Sequence, residues 1–209
     1  MLILELNYDQ DVECPVEGSG WQFVSFHRNS SDKPSDHIET VDRSGSVTFA
    51  NIGLARKVEC GTAFILSRYG HSGEQWGLRG EVHQCRFDTA DIAGMLIWKD
   101  KVKYLPHVRG DKSKTYALRA ERARSEMAEY TDWCNGECYR YRLTERDDTG
   151  KVIWEDSCGG CIGAEEFAKY VRKLVKGRTI DQYLGEAQYM ADCYDFVGKP
   201  PKVLEEKIA

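Results

Sequence analysis

The chain has 209 residues, with 41% apolar and 30% charged side chains and a formal net charge of −5. That length bounds it to one large domain, or a domain with an appended helical part, and the composition excludes disorder and a membrane-embedded body. The negative balance gives no overall attraction to a polyphosphate and weakly favours basic partners, so direct nucleic-acid binding is not expected.

The opening run MLILELNYDQD carries no basic n-region and no long apolar core, so no secretory signal is expected. No run reaches ~18 apolar residues, so no membrane-spanning helix is expected and the predicted location is the cytoplasm. The eight cysteines would there be thiols, metal ligands or redox groups rather than a disulfide framework.

In chain order, residues 2–8 form a predicted strand and residues 9–20 a loop. Trp21 to His27 alternates as a second strand, with Trp21, Phe23 and Ser25 on one face and Gln22, Val24 and Phe26 on the other. Residues 29–46, rich in Ser, Asp, Gly and Pro, read as a long surface loop and a candidate contact surface. Residues 47–58 are ambiguous. Thr62 to Tyr69 is a strand, followed by a tight Gly70-His71-Ser72-Gly73 loop. Glu81 to Phe87 is a further strand candidate, and Ile92 to Trp98 a buried one. Residues 99–114 read as a basic loop.

Helices dominate afterwards. Ala120, Ala123, Met127 and Tyr130 recur at helical spacing in 115–132, and Asn135-Gly136 ends that helix. The stretch 133–163 organises the chain as a β-hairpin. Cys138 to Glu145 and Lys151 to Ser157 are its strands, and Asp147-Asp148-Thr149-Gly150 is its turn. Folding about that turn sets position 138 opposite roughly position 159. Beyond it, Phe167, Val171 and Leu174 mark a helix ended by Gly177. Thr179 caps a last predicted helix with Ile180, Leu184, Ala187, Ala191 and Tyr194 on one stripe. The fold class is α+β: a mainly antiparallel β-sheet first half, then helix, β-hairpin, helix, helix. The domain reading is a single unit over 1–209, with a candidate seam near 99–114 between a β-rich 1–98 and a helical and hairpin 115–198.

Several stretches resemble a family of uncharacterised proteins found in bacteriophages and other mobile elements. They are the opening strand with its acidic loop and Phe26-His27-Arg28, Tyr69-Gly70-His71-Ser72-Gly73, Asp88 to Gly94, and the pair Trp133-Cys134-Asn135-Gly136-Glu137 with Asp156-Ser157-Cys158-Gly159 and Ile162-Gly163. Together they cover about a third of the chain. Cys138 stands where that family usually has a small apolar residue, and Cys161 where it usually has an aromatic one. The resemblance implies a phage context and brings no established catalytic activity. It implies an accessory protein that binds a host protein, including defence effectors of the CRISPR or restriction type.

The strongest chemical constellation is Cys134-x3-Cys138 with Cys158-x2-Cys161. Four thiolates at tetrahedral corners would hold a structural zinc ion. The alternatives are packing of Cys134 and Cys158 as small core hydrophobes, with Cys138 and Cys161 incidental, and a disulfide or redox pair. His71 with Asp88 or Asp91 reads either as the set of a small metal-dependent enzyme or as a loop fixed by local hydrogen bonds. Arg140 and Arg142 beside Tyr139 and Tyr141 read either as a nucleic-acid contact on a zinc-stabilised module or as cross-strand partners of Glu137, Glu155 and Asp156. The leading expectation is a non-enzymatic binding protein. It would meet its partner through the 29–46 loop and the acids Asp9, Asp11, Glu13 and Glu17, covering a basic or nucleic-acid-binding surface.

Overall fold

Residues 1–28 and 30–196 are described by the computed structural model. Chain contacts divide into two compact units. One is Met1–Glu13 with the chain from Gly136 onward, and the other is Cys14–Asn135. Residues 99–114 fall inside the second unit. The architecture is α+β, and among the described residues the strands pair antiparallel except for one parallel pair.

In the first unit, β1 (Leu2–Tyr8), β8 (Cys138–Arg146), β9 (Val152–Ile162) and β10 (Gln182–Leu184) make a four-stranded sheet in the order β10-β1-β8-β9. β1 runs antiparallel to β8 and parallel to β10. Alternation decides which side is buried: Leu4 and Leu6 of β1 and Tyr139, Tyr141 and Leu143 of β8 point to one face. There they meet Phe167, Ala168, Val171 and Val175 of α3 (Ala164–Val175). The Phe167 ring stacks on Tyr139 at 5.1 Å. Full burial of a side chain of that size stabilises by about 1.5–3 kcal/mol. The stretch 179–194, expected as a helix, is instead β10 followed by the short α4 (Tyr189–Cys193). A hydrogen-bonding partner distant in sequence overrode the local stripe. The Asp181 carboxylate accepts the Leu2 N–H at 2.6 Å and starts the parallel pairing with β1. Gly198-Lys199-Pro200-Pro201, whose glycine and prolines would close that predicted helix, lies outside the described residues.

In the second unit, β2 (Trp21–Ser25), β5 (Ala63–Gly70), β6 (Glu74–Leu78) and β7 (Thr89–Trp98) form an antiparallel sheet in the order β2-β7-β5-β6. Its two faces are both covered. Trp21, Phe64, Leu66, Trp76 and Leu96 pack with Ala120, Ala123 and Met127 of α2 (Lys112–Cys134). Val24, Ala63, Met95 and Ile97 pack with Leu54 of α1 (Ile52–Glu59). This separates Trp21 from Val24 as the alternation in 21–27 requires. β7 needs Gly94 because a Cβ there would lie 2.3 Å from the Val24 carbonyl oxygen.

Two expectations are corrected here. The 29–46 segment contains a 3-10 turn at Pro34–Asp36 and β3 (Ile38–Val41), which pairs with β4 (Val47–Phe49) around an Asp42-centred turn. Its residues are mostly exposed, so its composition reads as loop although its backbone is paired. Residues 81–87 form no strand: β6 precedes them, and they are turn and coil tied by Thr89.

Candidate functional site

The β8–β9 hairpin closes over Asp147, whose Oδ1 accepts the N–H groups of Thr149 and Lys151 and the Thr149 hydroxyl. Its register places Cys138 opposite Ile162, three residues beyond the expected position 159. Two bulges contribute, the first at Ile153, between Arg146↔Val152 and Glu145↔Trp154, and the second nearer the open end. Tyr141 faces Cys158 and Tyr139 faces Cys161, so an extra residue of β9 is accommodated at Gly159-Gly160. Gly160 has φ +73°, and its N–H donates to Asp9 Oδ2 at 2.8 Å. A Cβ at position 159 would lie 2.5 Å from that same oxygen. Asp9 therefore fixes the bulge, and both glycines are required by it.

The bulge also puts Cys158 and Cys161 on one face, because their partners Tyr141 and Tyr139 are two residues apart. The Cys158 thiol is exposed and hydrogen-bonds that of the half-buried Cys161. Burial and the neighbouring Cys158 push the Cys161 thiol up. Cys138 is buried at 4% exposure. Cys134 ends α2 in the other unit, where its thiol hydrogen-bonds Tyr130 and burial raises its pKa. The hairpin thus unites two of the four cysteines. Among the described residues, no group of three or more His, Cys, Asp or Glu side chains is arranged to hold a metal ion.

β9 is the outer strand of its sheet. Asp9 N–H donates to the Cys138 carbonyl and Arg146 N–H to that of Met1, so the even positions of β8 bond toward β1. Odd positions 141, 143 and 145 then bond Cys158, Asp156 and Trp154 across the other side. The backbone groups of Glu155 and Ser157 consequently face away from the sheet, while Ile153 lies at a second register shift, between Glu145↔Trp154 and Arg146↔Val152. Residues 152–155 are all exposed, Ile153 at 59%. Arg178 lies 4.9 Å over the Trp154 ring. On the strand faces, Arg142 pairs with Glu155 at 2.8 Å, and the Tyr141 hydroxyl donates to Asp156. Tyr139 donates to Glu137, and burial holds both phenols well above their usual range.

The acids expected at a partner surface divide. Asp11, Glu13 and Glu17 are exposed. Asp9 is half-buried and serves the bulge. Asp9, Asp11 and Glu13 belong to the first unit and Glu17 to the second.

His71 and Asp88 come together at 3.4 Å, with His71 67% exposed. The same Asp88 oxygen accepts the Cys85 thiol at 3.4 Å. Asp91 is engaged otherwise: Arg79 donates to it twice, at 2.8 and 2.6 Å, and also to the Gly45 carbonyl at 2.7 Å. It braces the Asp42–Ser46 turn.

A cleft of about 450 Å³ in the second unit was not signalled by any motif. Trp76, Tyr130 and Trp133 supply aromatic walls, with Arg68, Glu74, His27, Ser25, Ser30 and Cys134 around them. Arg68 grips Glu74 through Nε at 3.1 Å and Nη2 at 2.5 Å, and the Trp76 indole N–H donates to Glu74 at 2.7 Å. The Arg68 guanidinium and this indole N–H hold the Glu74 carboxyl below its usual range, and Glu74 in turn holds Arg68 up. The Tyr130–Trp133 spacing of three on a helix was the only local hint of this wall.

No family model, no curated protein and no solved structure matches the chain. Among the described residues, no helix is long and apolar enough to cross a membrane.

Proposed function

We propose that this protein acts by binding another protein, and that the outer edge of β9 takes up an extended segment of that partner as an added strand. One observation carries the reading: Glu155 and Ser157 turn their backbone groups away from β8 on a strand whose first residues are exposed. Strand addition draws affinity from main-chain hydrogen bonds and selectivity from alternate side chains. Protected proteins cover, shorten or twist such an edge. Here the ladder shifts register at Ile153 and again at Gly159-Gly160, which leaves 154–158 as a docking length.

Exposed Asp11, Glu13 and Glu155 in the same unit suit a basic partner. The resemblance to phage and mobile-element proteins supplies the context. In that reading the partner is a host protein, of the class of CRISPR or restriction effectors, whose basic nucleic-acid groove an acidic protein would cover.

The test is capture from host lysate with the wild-type chain and with Ser157→Pro, followed by hydrogen exchange on the complex. Proline at 157 deletes an outward N–H while sparing the ladder to β8. The expected result is protection of the Glu155 and Ser157 amides in the complex, and loss of the partner with Ser157→Pro. A partner retained in full by that variant, with those amides exchanging as before, would sink the reading.

A further inference from the structure

The cleft of the second unit has the build of a small-ligand site, independently of what β9 does. Its volume of about 450 Å³ falls in the range of clefts that hold small molecules. Tyr130 and Trp133 lie nearly parallel, 23° apart with centroids at 5.8 Å, and Trp76 stands against Tyr130 at 71° and 5.9 Å. Tyr130 and Trp133 stack on each other and Trp76 stands upright beside them, so the three rings make an aromatic corner. Such a stack suits a further π-face, and stacking tolerates any ring that is planar.

The polar equipment narrows the ligand. Arg68 and Glu74 are joined by two parallel hydrogen bonds, so the pair is planar and close to neutral overall. It offers donor and acceptor atoms along one edge without a free charge to attract a phosphate. Ser25 and Ser30 each accept a backbone N–H two residues on, from His27 and Asp32, which leaves their hydroxyl protons to donate. Apolar above and below, polar at the rim and without net charge, the cleft matches a neutral heteroaromatic ring.

We infer that this cleft binds a planar heteroaromatic of the nucleobase class, stacked on Tyr130 and Trp133 and read at its edge by the Arg68–Glu74 pair and the two serines. Because Arg68 is already committed to Glu74, a nucleoside and its 5′-monophosphate bind about equally well.

Saturation-transfer NMR with adenosine, guanosine, cytidine, uridine and their 5′-monophosphates tests this on the full chain. Expected is transfer to the base protons ahead of the ribose protons for at least one base, with phosphate changing the affinity little. Trp133→Ala should weaken that binding about ten-fold or more. Glu74→Gln, which releases the Arg68 guanidinium, should turn the preference toward the monophosphate. The Trp133 indole N–H of the wild-type chain should also shift on titration, which keeps the test informative if either variant fails to fold. No transfer to any of the eight at millimolar ligand, or transfer that Trp133→Ala leaves intact, overturns the inference. A monophosphate strongly preferred by the wild-type chain overturns the base-directed reading in favour of an anion site.

Discussion

Asn135 and Glu74 hold each other by two hydrogen bonds, the Glu74 N–H donating to Asn135 Oδ1 and Asn135 Nδ2 donating to the Glu74 carbonyl, each at 2.8 Å. Four residues earlier on α2, the Thr131 hydroxyl accepts the Trp76 N–H at 2.9 Å and donates to the Trp76 carbonyl at 3.3 Å. The match is geometric: four helical residues rise about 6 Å and two strand residues about 6.8 Å. The helix end thus stands in for a fifth strand and closes the free edge of β6. Asn135→Ala removes both bonds and is expected to lower unfolding stability by about 1–2 kcal/mol in urea titration. Asn135→Asp keeps the acceptor, loses the donor and should fall between. A variant as stable as wild type would show that the edge is closed by packing alone.

Gly94 tests the packing of the same sheet. A methyl group there would sit 2.3 Å from the Val24 carbonyl oxygen, and backbone on a central strand pair has little room to retreat. Gly94→Ala should therefore destabilise by about 3 kcal/mol, near the upper end for overpacking. The measurement is thermal or urea unfolding beside Gly80→Ala, where a Cβ meets nothing within 4 Å and the φ of +82° alone is disturbed. The Gly94 change should be the more damaging of the two.

What the sequence made legible was local. The Asp147-Asp148-Thr149-Gly150 turn, the alternation of 21–27 and the Ala120, Ala123, Met127 stripe each depend on neighbours within a few residues, and each appears in the fold. What it hid depends on distant partners. Ile180 and Leu184 keep helical spacing, yet β1 recruits 182–184 as a strand. The hairpin turn was legible but not its register, because part of the shift comes from Asp9, about 150 residues away in sequence, holding Gly160. The aromatic cleft joins a strand edge to a helix end, and nothing in either segment alone marks it.

Acid should act through Glu74. Its carboxyl lies below its ordinary value of 4.5, first because Arg68 donates to it and then because the Trp76 indole does. The unfolded chain binds that proton at the higher, ordinary pKa, so the pair stabilises the fold above it and the gain is lost as pH falls through the lower, folded value. The stability difference between wild type and Glu74→Gln should be full near neutral pH, begin to shrink as pH drops below about 4.5, and vanish at lower pH. Urea titrations of both proteins over that window measure it. A difference that stays constant with pH would mean the Arg68 bridge contributes nothing to folding.

The thiols should separate by place. Cys158 and Cys161 share a face, but Cys158 is exposed, whereas burial and the adjacent Cys158 thiol raise the pKa of the half-buried Cys161. Only thiolate reacts, so the raised Cys161 thiol carries a smaller reactive fraction than an ordinary cysteine thiol and its alkylation needs a more alkaline solution. Timed alkylation read by peptide mass spectrometry should label Cys60, Cys158 and Cys193 early, Cys161 later, and the 4%-exposed Cys138 last. Asp9→Ala takes the acceptor from Gly160 and frees the bulge, so the Cys161 rate should rise toward that of Cys158 while Cys138 stays protected. Equal rates for the two in the wild-type chain, or no response of Cys161 to Asp9→Ala, would mean that the Asp9-held bulge does not govern how this pair of sulfurs is presented.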